Sequence, residues 1–158
     1  MAQTQTRANT VGHRINGGIL PIKCIQINLQ HNRAAVNNIL QIIEQLNVDI
    51  LFVQEPHIID NKIIGIPSKY RTFSFESGRI RAAIVVTNTT LDAILIKQIS
   101  NKDAAVIEVT QGKLKFLAAS IYFDINDDIN NELTMIENIL NHCKGKGTPI
   151  AADSNARS

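Results

Sequence analysis

The apolar positions of the chain follow two periodicities, and their character changes near the middle. Ile19 to Leu29 (ILPIKCIQINL) carries Ile22 and Cys24, then Gln26 and Asn28, on one alternating side, and Ile25, Ile27 and Leu29 beside Lys23 on the other. Apolar residues on both sides predict a strand buried on both faces. Asn28, near its end, is polar where the pattern is not. Asn32 to Leu46 then sets Ala35, Val36, Ile39, Leu40, Ile42, Ile43 and Leu46 at helical spacing, with Asn32 as N-cap. Asn47-Val48-Asp49 stops it, and Ile50 to Gln54 follows as a short apolar strand that runs into Glu55-Pro56. Strand, helix, strand implies a right-handed crossover joining two parallel strands of one sheet.

His57 to Lys69 reads as a loop, and a weak strand around Tyr70 to Phe75 precedes the turn Glu76-Ser77-Gly78-Arg79. From Arg81 the pattern becomes β-type: Ala82 to Thr87, Leu91 to Gln98, Ala104 to Thr110 and Lys113 to Tyr122. Short turns separate these runs, and the two-residue link Gln111-Gly112 is a hairpin signal. Together the four predict an antiparallel meander, with Ser120 and Tyr122 on one face near its end. Phe123 to Asn130 is an acidic loop without the central Gly and final Glu of a calcium loop. Asn131 to Cys143 is a second amphipathic helix with the stripe Leu133, Ile136, Ile139, Leu140 and Cys143, closed by Lys144-Gly145-Lys146-Gly147. Pro149 to Ala152 is one more buried strand. It delivers Asp153 and Asn155, which share a side because residues i and i+2 of a strand do so.

Composition narrows the class. At 158 residues, 44% hydrophobic and 19% charged, the chain has material for one folded domain with a real core. A formal charge of +2 permits a polyanionic partner without arguing for one. The two cysteines, Cys24 and Cys143, have no CxxC spacing and read as reduced core thiols. No apolar run approaches the roughly 18 to 20 residues of a membrane span, so no membrane partner is expected. Residues 1–18 are polar and lack a signal peptide's apolar core. They read as a flexible leader before a domain over 19–158, in an intracellular protein of the nucleus or cytoplasm.

The candidate chemistry lies at strand ends. Two parallel strands bring Asn28 and Glu55 out side by side at one carboxyl edge, and Asp153 with Asn155 ends another strand. Open α/β sheets place ligands at such edges. Each feature has a plainer reading, since Asp-Ser-Asn is also good turn chemistry and a glutamate after a strand is often a loop charge. Their order adds more. Gln26-x-Asn28, Val53-Gln54-Glu55-Pro56, Ser120-x-Tyr122 and Asp153-x-Asn155 resemble, in sequence and context, the motifs of the exonuclease-endonuclease-phosphatase superfamily, which includes DNase I and the apurinic/apyrimidinic endonucleases. Within it, INLQHNRAA, LFVQEPHI, RAAIVV and DSNARS resemble the endonuclease domain of insect non-LTR retrotransposons, from about Ile22 to the last residue.

The resemblance implies a DNase I-like α/β sandwich and a Mg²⁺-dependent phosphodiesterase, with Mn²⁺ as a substitute. The substrate would be DNA, nicked to prime reverse transcription, and the domain would derive from a reverse transcriptase polyprotein. Glu55 would be the metal-binding carboxylate and Asn28 its supporting ligand or hydrogen-bond partner. Tyr122 would contact the scissile phosphate or leaving oxygen, Asp153 would orient or deprotonate the attacking water, and Asn155 would hold phosphate oxygens. Gln30, Arg81 and Ser120 would bind substrate. There are two departures. Gln30 stands where many members carry Asp, as retrotransposon members tend to have it. The pattern's second half, with a further Asp and an Asp-His pair, has no match, and His13, His31, His57 and His142 do not replace that histidine by motif. The expectation is therefore an incomplete sandwich, weakly active or inactive by itself. Two alternatives stay open: a non-catalytic nucleic-acid-binding or interaction remnant, which the 4% aromatic content disfavours, and a family phosphatase or exonuclease acting on another phosphoester.

Overall fold

Strands that are apolar on both faces need a layer on either side, and the chain builds those layers. The computed structural model describes residues 7–11, 14–15, 18–19, 21–76, 78–145 and 150–153. In chain order the elements are β1 (Arg7–Val11), β2 (Arg14–Ile15), β3 (Gly18–Ile19), β4 (Ile22–Asn28), α1 (Arg33–Leu46), β5 (Ile50–Gln54), β6 (Ile58–Ile59) and β7 (Lys62–Ile63). Then come β8 (Arg71–Phe73), β9 (Ala82–Val86), β10 (Asp92–Leu95), a 3-10 turn (Lys97–Ile99), β11 (Ala104–Gln111), β12 (Leu114–Tyr122), α2 (Ile129–His142) and β13 (Ile150–Asp153). One sheet has the order β1-β4-β5-β9-β8 and the other β10-β11-β12-β13, while β2–β3 and β6–β7 form small ribbons. β4 pairs with β5, and β12 with β13, in parallel.

The two sheets pack face to face. Ile22, Cys24, Ile50, Phe52, Ile84 and Val86 of the first meet Ala105, Ile107, Val109, Phe116 and Ala118 of the second. The alternate residues Ile25, Ile27, Leu51, Val53, Ala83 and Val85 face outward and are covered by Val36, Ile39 and Ile43 of α1. On the far side Ala104, Val106, Leu117, Ala119 and Ile121 receive Ile139 and Cys143 of α2. The result is a four-layer α/β/β/α sandwich. The α1 boundaries arise from capping: the Asn32 side chain accepts from the Ala34 amide, and Asn47, at φ 50, closes the helix by donating its N–H to the Ile43 carbonyl. Both cysteines are free and buried, and burial, with Asp49 adding to it, pushes the Cys24 thiol up to about 12. Among the described residues no helix is long and apolar enough to cross a membrane.

The structure departs from the sequence reading in several places. β9 belongs to the first sheet, antiparallel to β5, so the meander comprises only β10, β11 and β12. Its five residues are apolar on both faces and fit either sheet equally well, and the chain crosses over between Val86 and Asp92. Gln111 pairs with Leu114, which shifts the hairpin turn by one to Gly112-Lys113; Gly112 takes φ +59 there. The polar leader supplies β1, whose backbone pairs with the open edge of β4, because strand pairing uses main-chain groups and needs no apolar side chains. The loop after Pro56 contains the β6–β7 ribbon. On α2, Leu133 and Leu140 are 55% and 51% exposed, and the helix turns Ile139 inward with Met135 and Ile136 packed beside it. The helix terminator is described only as far as Gly145, and Pro149 lies outside the described residues.

This packing separates two substitutions that periodicity alone treats alike. Ile139→Ala is expected to destabilise the protein by about 2–5 kcal/mol, whereas Leu133→Gln stays within about 0.5 kcal/mol of the parent. Urea denaturation checks both; a comparable loss for Leu133→Gln would contradict the orientation of α2.

Candidate functional site

Gln54 and Ser120 are both fully buried, although each interrupts an apolar strand. The Gln54 Nε2 donates to Ser120 Oγ at 2.9 Å, and Ser120 Oγ donates to the Val53 carbonyl at 3.0 Å. These bonds cross from one sheet to the other, and the candidate chemistry stands just beyond each anchor in the chain. Glu55 comes directly after Gln54. Tyr122 is two residues beyond Ser120, and the register sets Tyr122 beside Asp153. Asn28 stands across the parallel ladder from Gln54, one residue short of Glu55.

The loops after β4 and β5 are held closely. The Asn28 Oδ1 accepts from the Gln30 amide at 2.8 Å. Leu29 N–H donates to the Gln54 carbonyl and His31 N–H to the Glu55 carbonyl, each at 2.9 Å, while Glu55 N–H donates to the Arg81 carbonyl at 2.8 Å. Gln30, His31 and Glu55 have φ of 48, 56 and 46, the left-handed region that side-chain-bearing residues seldom take. The Glu55 side chain is 23% exposed, and its Oε1 lies 3.5 Å from His31 Nε2.

Arg81 ties the second half of the edge together. Its Nε donates to Asp103 and its Nη1 to Asp124, and its guanidinium carbon lies 5.0 Å from the centroid of the Tyr122 ring. Only 15% of the side chain is exposed, which suits a guanidinium whose planar fork is matched by two carboxylates and an aromatic face. The Tyr122 N–H donates to the Asp103 carbonyl at 2.8 Å, so the same loop fixes both partners. The Asp124 carboxyl is held below the ordinary carboxylate range, first by the Asn126 backbone N–H and next by the Arg81 guanidinium.

Among the residues expected in the site, the fold gathers Asn28, Glu55, Arg81 and Tyr122 at one edge and brings Asp153 to it by backbone register. Asn155 lies outside the described residues. Gln30 is exposed at the mouth. Ser120 is a correction to the expected substrate contacts: alternation along a strand gives the face of a residue and not its depth, and Ser120 is sealed between the sheets. Arg81, too, is engaged with Asp103, Asp124 and Tyr122 rather than presented to solvent. The sequence reading missed Asp103 and Asp124, which no spacing links to Arg81. It also missed Gln54, whose signal was an amide inside an apolar strand.

Among the described residues no three His, Cys, Asp or Glu side chains converge to cage a metal ion. The Glu55 carboxylate and the amide oxygen of Asn28, whose Cα pairs with the neighbouring Gln54, are nevertheless an all-oxygen donor set. It suits a hard cation such as Mg²⁺, which keeps several waters and takes its remaining ligands from substrate phosphates. The donors fit that group.

Solved structures share this architecture. The endonuclease domain of TRAS1, a telomere-specific non-LTR retrotransposon, superposes with a TM-score of 0.75 at 24% identity, over 87% of this chain and 61% of that one. TDP2 of D. rerio complexed with a single-strand DNA product gives a TM-score of 0.52 at 13% identity, over 82% of this chain and 56% of that one. An endonuclease/exonuclease/phosphatase family protein from Leptotrichia buccalis gives 0.54 at 15% identity, over 85% and 67%. The chain thus spans 61% of the length of the TRAS1 domain and 56% of TDP2. No family model and no curated protein matches the sequence. The fold is the DNase I-like α/β sandwich.

Two outcomes are expected at this edge. Ser120→Ala strands the buried Gln54 amide and is expected to cost about 1–3 kcal/mol in urea denaturation; no loss would mean that the bridge is not formed. For Asp124, the folded carboxyl titrates below its unfolded value, so its pairing stabilises the protein above the ordinary range of about 4 and that share is lost as pH falls through the folded value. The urea midpoint is expected to drop in acid below about pH 4, and Asp124→Asn to reduce that drop.

Proposed function

We propose that this chain carries the site of a Mg²⁺-dependent phosphodiesterase that nicks DNA, within a retrotransposon protein fused to or derived from a reverse transcriptase polyprotein. The observation that carries the reading is the meeting of Asn28, Glu55, Tyr122 and Asp153 at one edge of a fold shared with a retrotransposon endonuclease domain. A neighbour of the same fold that was solved with a single-strand DNA product supports nucleic acid as the substrate class. Such a substrate would put the protein in the nucleus or cytoplasm.

Phosphodiester hydrolysis moves negative charge onto the phosphate and its leaving oxygen, so it needs positive charge, fixed donors and an oriented water. Glu55 and the Asn28 amide oxygen would hold Mg²⁺, which when bound would supply charge neutralisation at the phosphate, with Mn²⁺ as a substitute. The Tyr122 phenol donates a hydrogen bond to the phosphate or leaving oxygen. Its ring is kept in place by Arg81, whose role is thereby to position Tyr122 rather than to bind substrate. Asp153 orients the attacking water and takes its proton, Asn155 holds phosphate oxygens, and Gln30 lines the approach.

The test is a supercoiled-plasmid nicking assay on the longest reading frame that contains this sequence. Mg²⁺-dependent nicking is expected, with Glu55→Gln and Asp153→Asn each lowering the rate about a hundredfold or more. Nicking that persists in EDTA, or that survives both substitutions, would sink the reading.

A further inference from the structure

Two histidines tie the loop after β4 to the loop after β5, and the hydrolytic chemistry uses neither. His31 Nδ1 lies 2.9 Å from the Pro56 carbonyl oxygen, and His57 Nδ1 lies 2.9 Å from the His31 carbonyl oxygen. A carbonyl oxygen can only accept, so each Nδ1 carries the proton. Arg79 Nη2 lies 3.0 Å from His31 Nε2. The same Nε2 lies 3.5 Å from Glu55 Oε1, so the ring stands between the Arg79 guanidinium and the Glu55 carboxylate. In both rings Nδ1 is thus the donor that ties one loop to the other.

The arrangement is reciprocal. The ring of each loop grips a backbone carbonyl of the other, while His31 N–H reaches the Glu55 carbonyl between them. The loops it joins are those with unfavourable backbone angles: Gln30, His31 and Glu55 all have positive φ. Such conformations are strained and persist only where their surroundings over-determine them. A reciprocal pair of side-chain bonds across the two loops supplies that constraint, and it acts within one residue of Glu55.

We propose that His31 and His57 are positioning residues that, through their Nδ1–carbonyl hydrogen bonds, latch the two loops and set the spacing between the Asn28 amide and the Glu55 carboxylate. The link to metal binding rests on the phosphodiesterase reading, whereas the latch itself is a property of the chain. Groups that orient metal ligands without touching the metal commonly govern its affinity.

Long-range ¹H–¹⁵N correlation spectra of the unaltered chain at about pH 8, above the ordinary imidazole range, read the tautomers directly. Both rings are expected to show protonated Nδ1; an unprotonated Nδ1 at either would overturn the latch. Mn²⁺ then serves as the probe, through broadening of the Asn28 and Glu55 amide resonances. His57→Gln, whose donor sits one atom too far out, is expected to raise the half-saturating Mn²⁺ about tenfold. His57→Asn, whose amide nitrogen falls where Nδ1 lies, leaves it unchanged. Equal effects of the two variants, or no broadening in the unaltered chain, would refute the positioning role. The tautomer spectra decide the latch even if a variant does not fold. A protein that shows both tautomers and this metal response yet nicks no DNA keeps the latch and loses only the phosphodiesterase reading.

Discussion

The bond from the Gln54 amide to the Ser120 hydroxyl fixes how the two sheets of this sandwich meet. Apolar packing between them is strong but non-directional, and Ile, Val and Ala side chains can slide past one another at modest cost. A buried amide cannot slide. Displaced by one residue, it would lose its partner and bear the desolvation cost of an unmade hydrogen bond. Because Glu55 and Tyr122 stand within two residues of these anchors, the polar bridge also sets the relation between the two halves of the candidate site. Specificity of register is the best-attested use of buried polar groups, and here the register is between layers.

Outside that bridge, the edge relies on polar ties rather than on apolar contacts. Arg81 joins three chain segments through Asp103, Asp124 and the face of Tyr122. The loops beyond β4 and β5 depart from ordinary backbone geometry and are bound to each other by main-chain and imidazole hydrogen bonds. The apolar sandwich thus ends in a rim of exposed-to-half-buried polar groups. Their positions are set by hydrogen-bond direction, which suits a surface that must present oxygen donors at fixed spacing.

How much of this was legible depended on how local the signal was. Helix α1 and strand β5 were readable almost to the residue, because an N-cap, a stop and an apolar run lie side by side in sequence. The sheet to which β9 belongs is not legible, since Ala82–Val86 carries no mark of which neighbour it joins. The β6–β7 ribbon is too short to show a period, and β1 is held by backbone pairing that composition does not encode. Ser120 illustrates the limit of alternation, which predicted its face but not its burial. Asn28 and Glu55 emerged correctly as neighbours because a short crossover leaves parallel strands little choice. The Arg81 pairings were invisible, as they arise only once three distant segments converge.

The connectivity also orders the search by which the chain reaches this state. β11 and β12 are joined by a two-residue turn and β10 precedes them through one short connection, so their pairing closes small loops at little entropic cost. The first sheet is different: β5 sits between β4, reached through a helical crossover, and β9, which arrives only after the β6–β7 ribbon and β8. Parallel and long-range pairings of this kind are intrinsically slow to form. The interlayer bond from Gln54 to Ser120 needs both sheets in place, and the rim beyond it needs that bond. The part of the molecule with the most exacting geometry thus rests on its longest-range pairings.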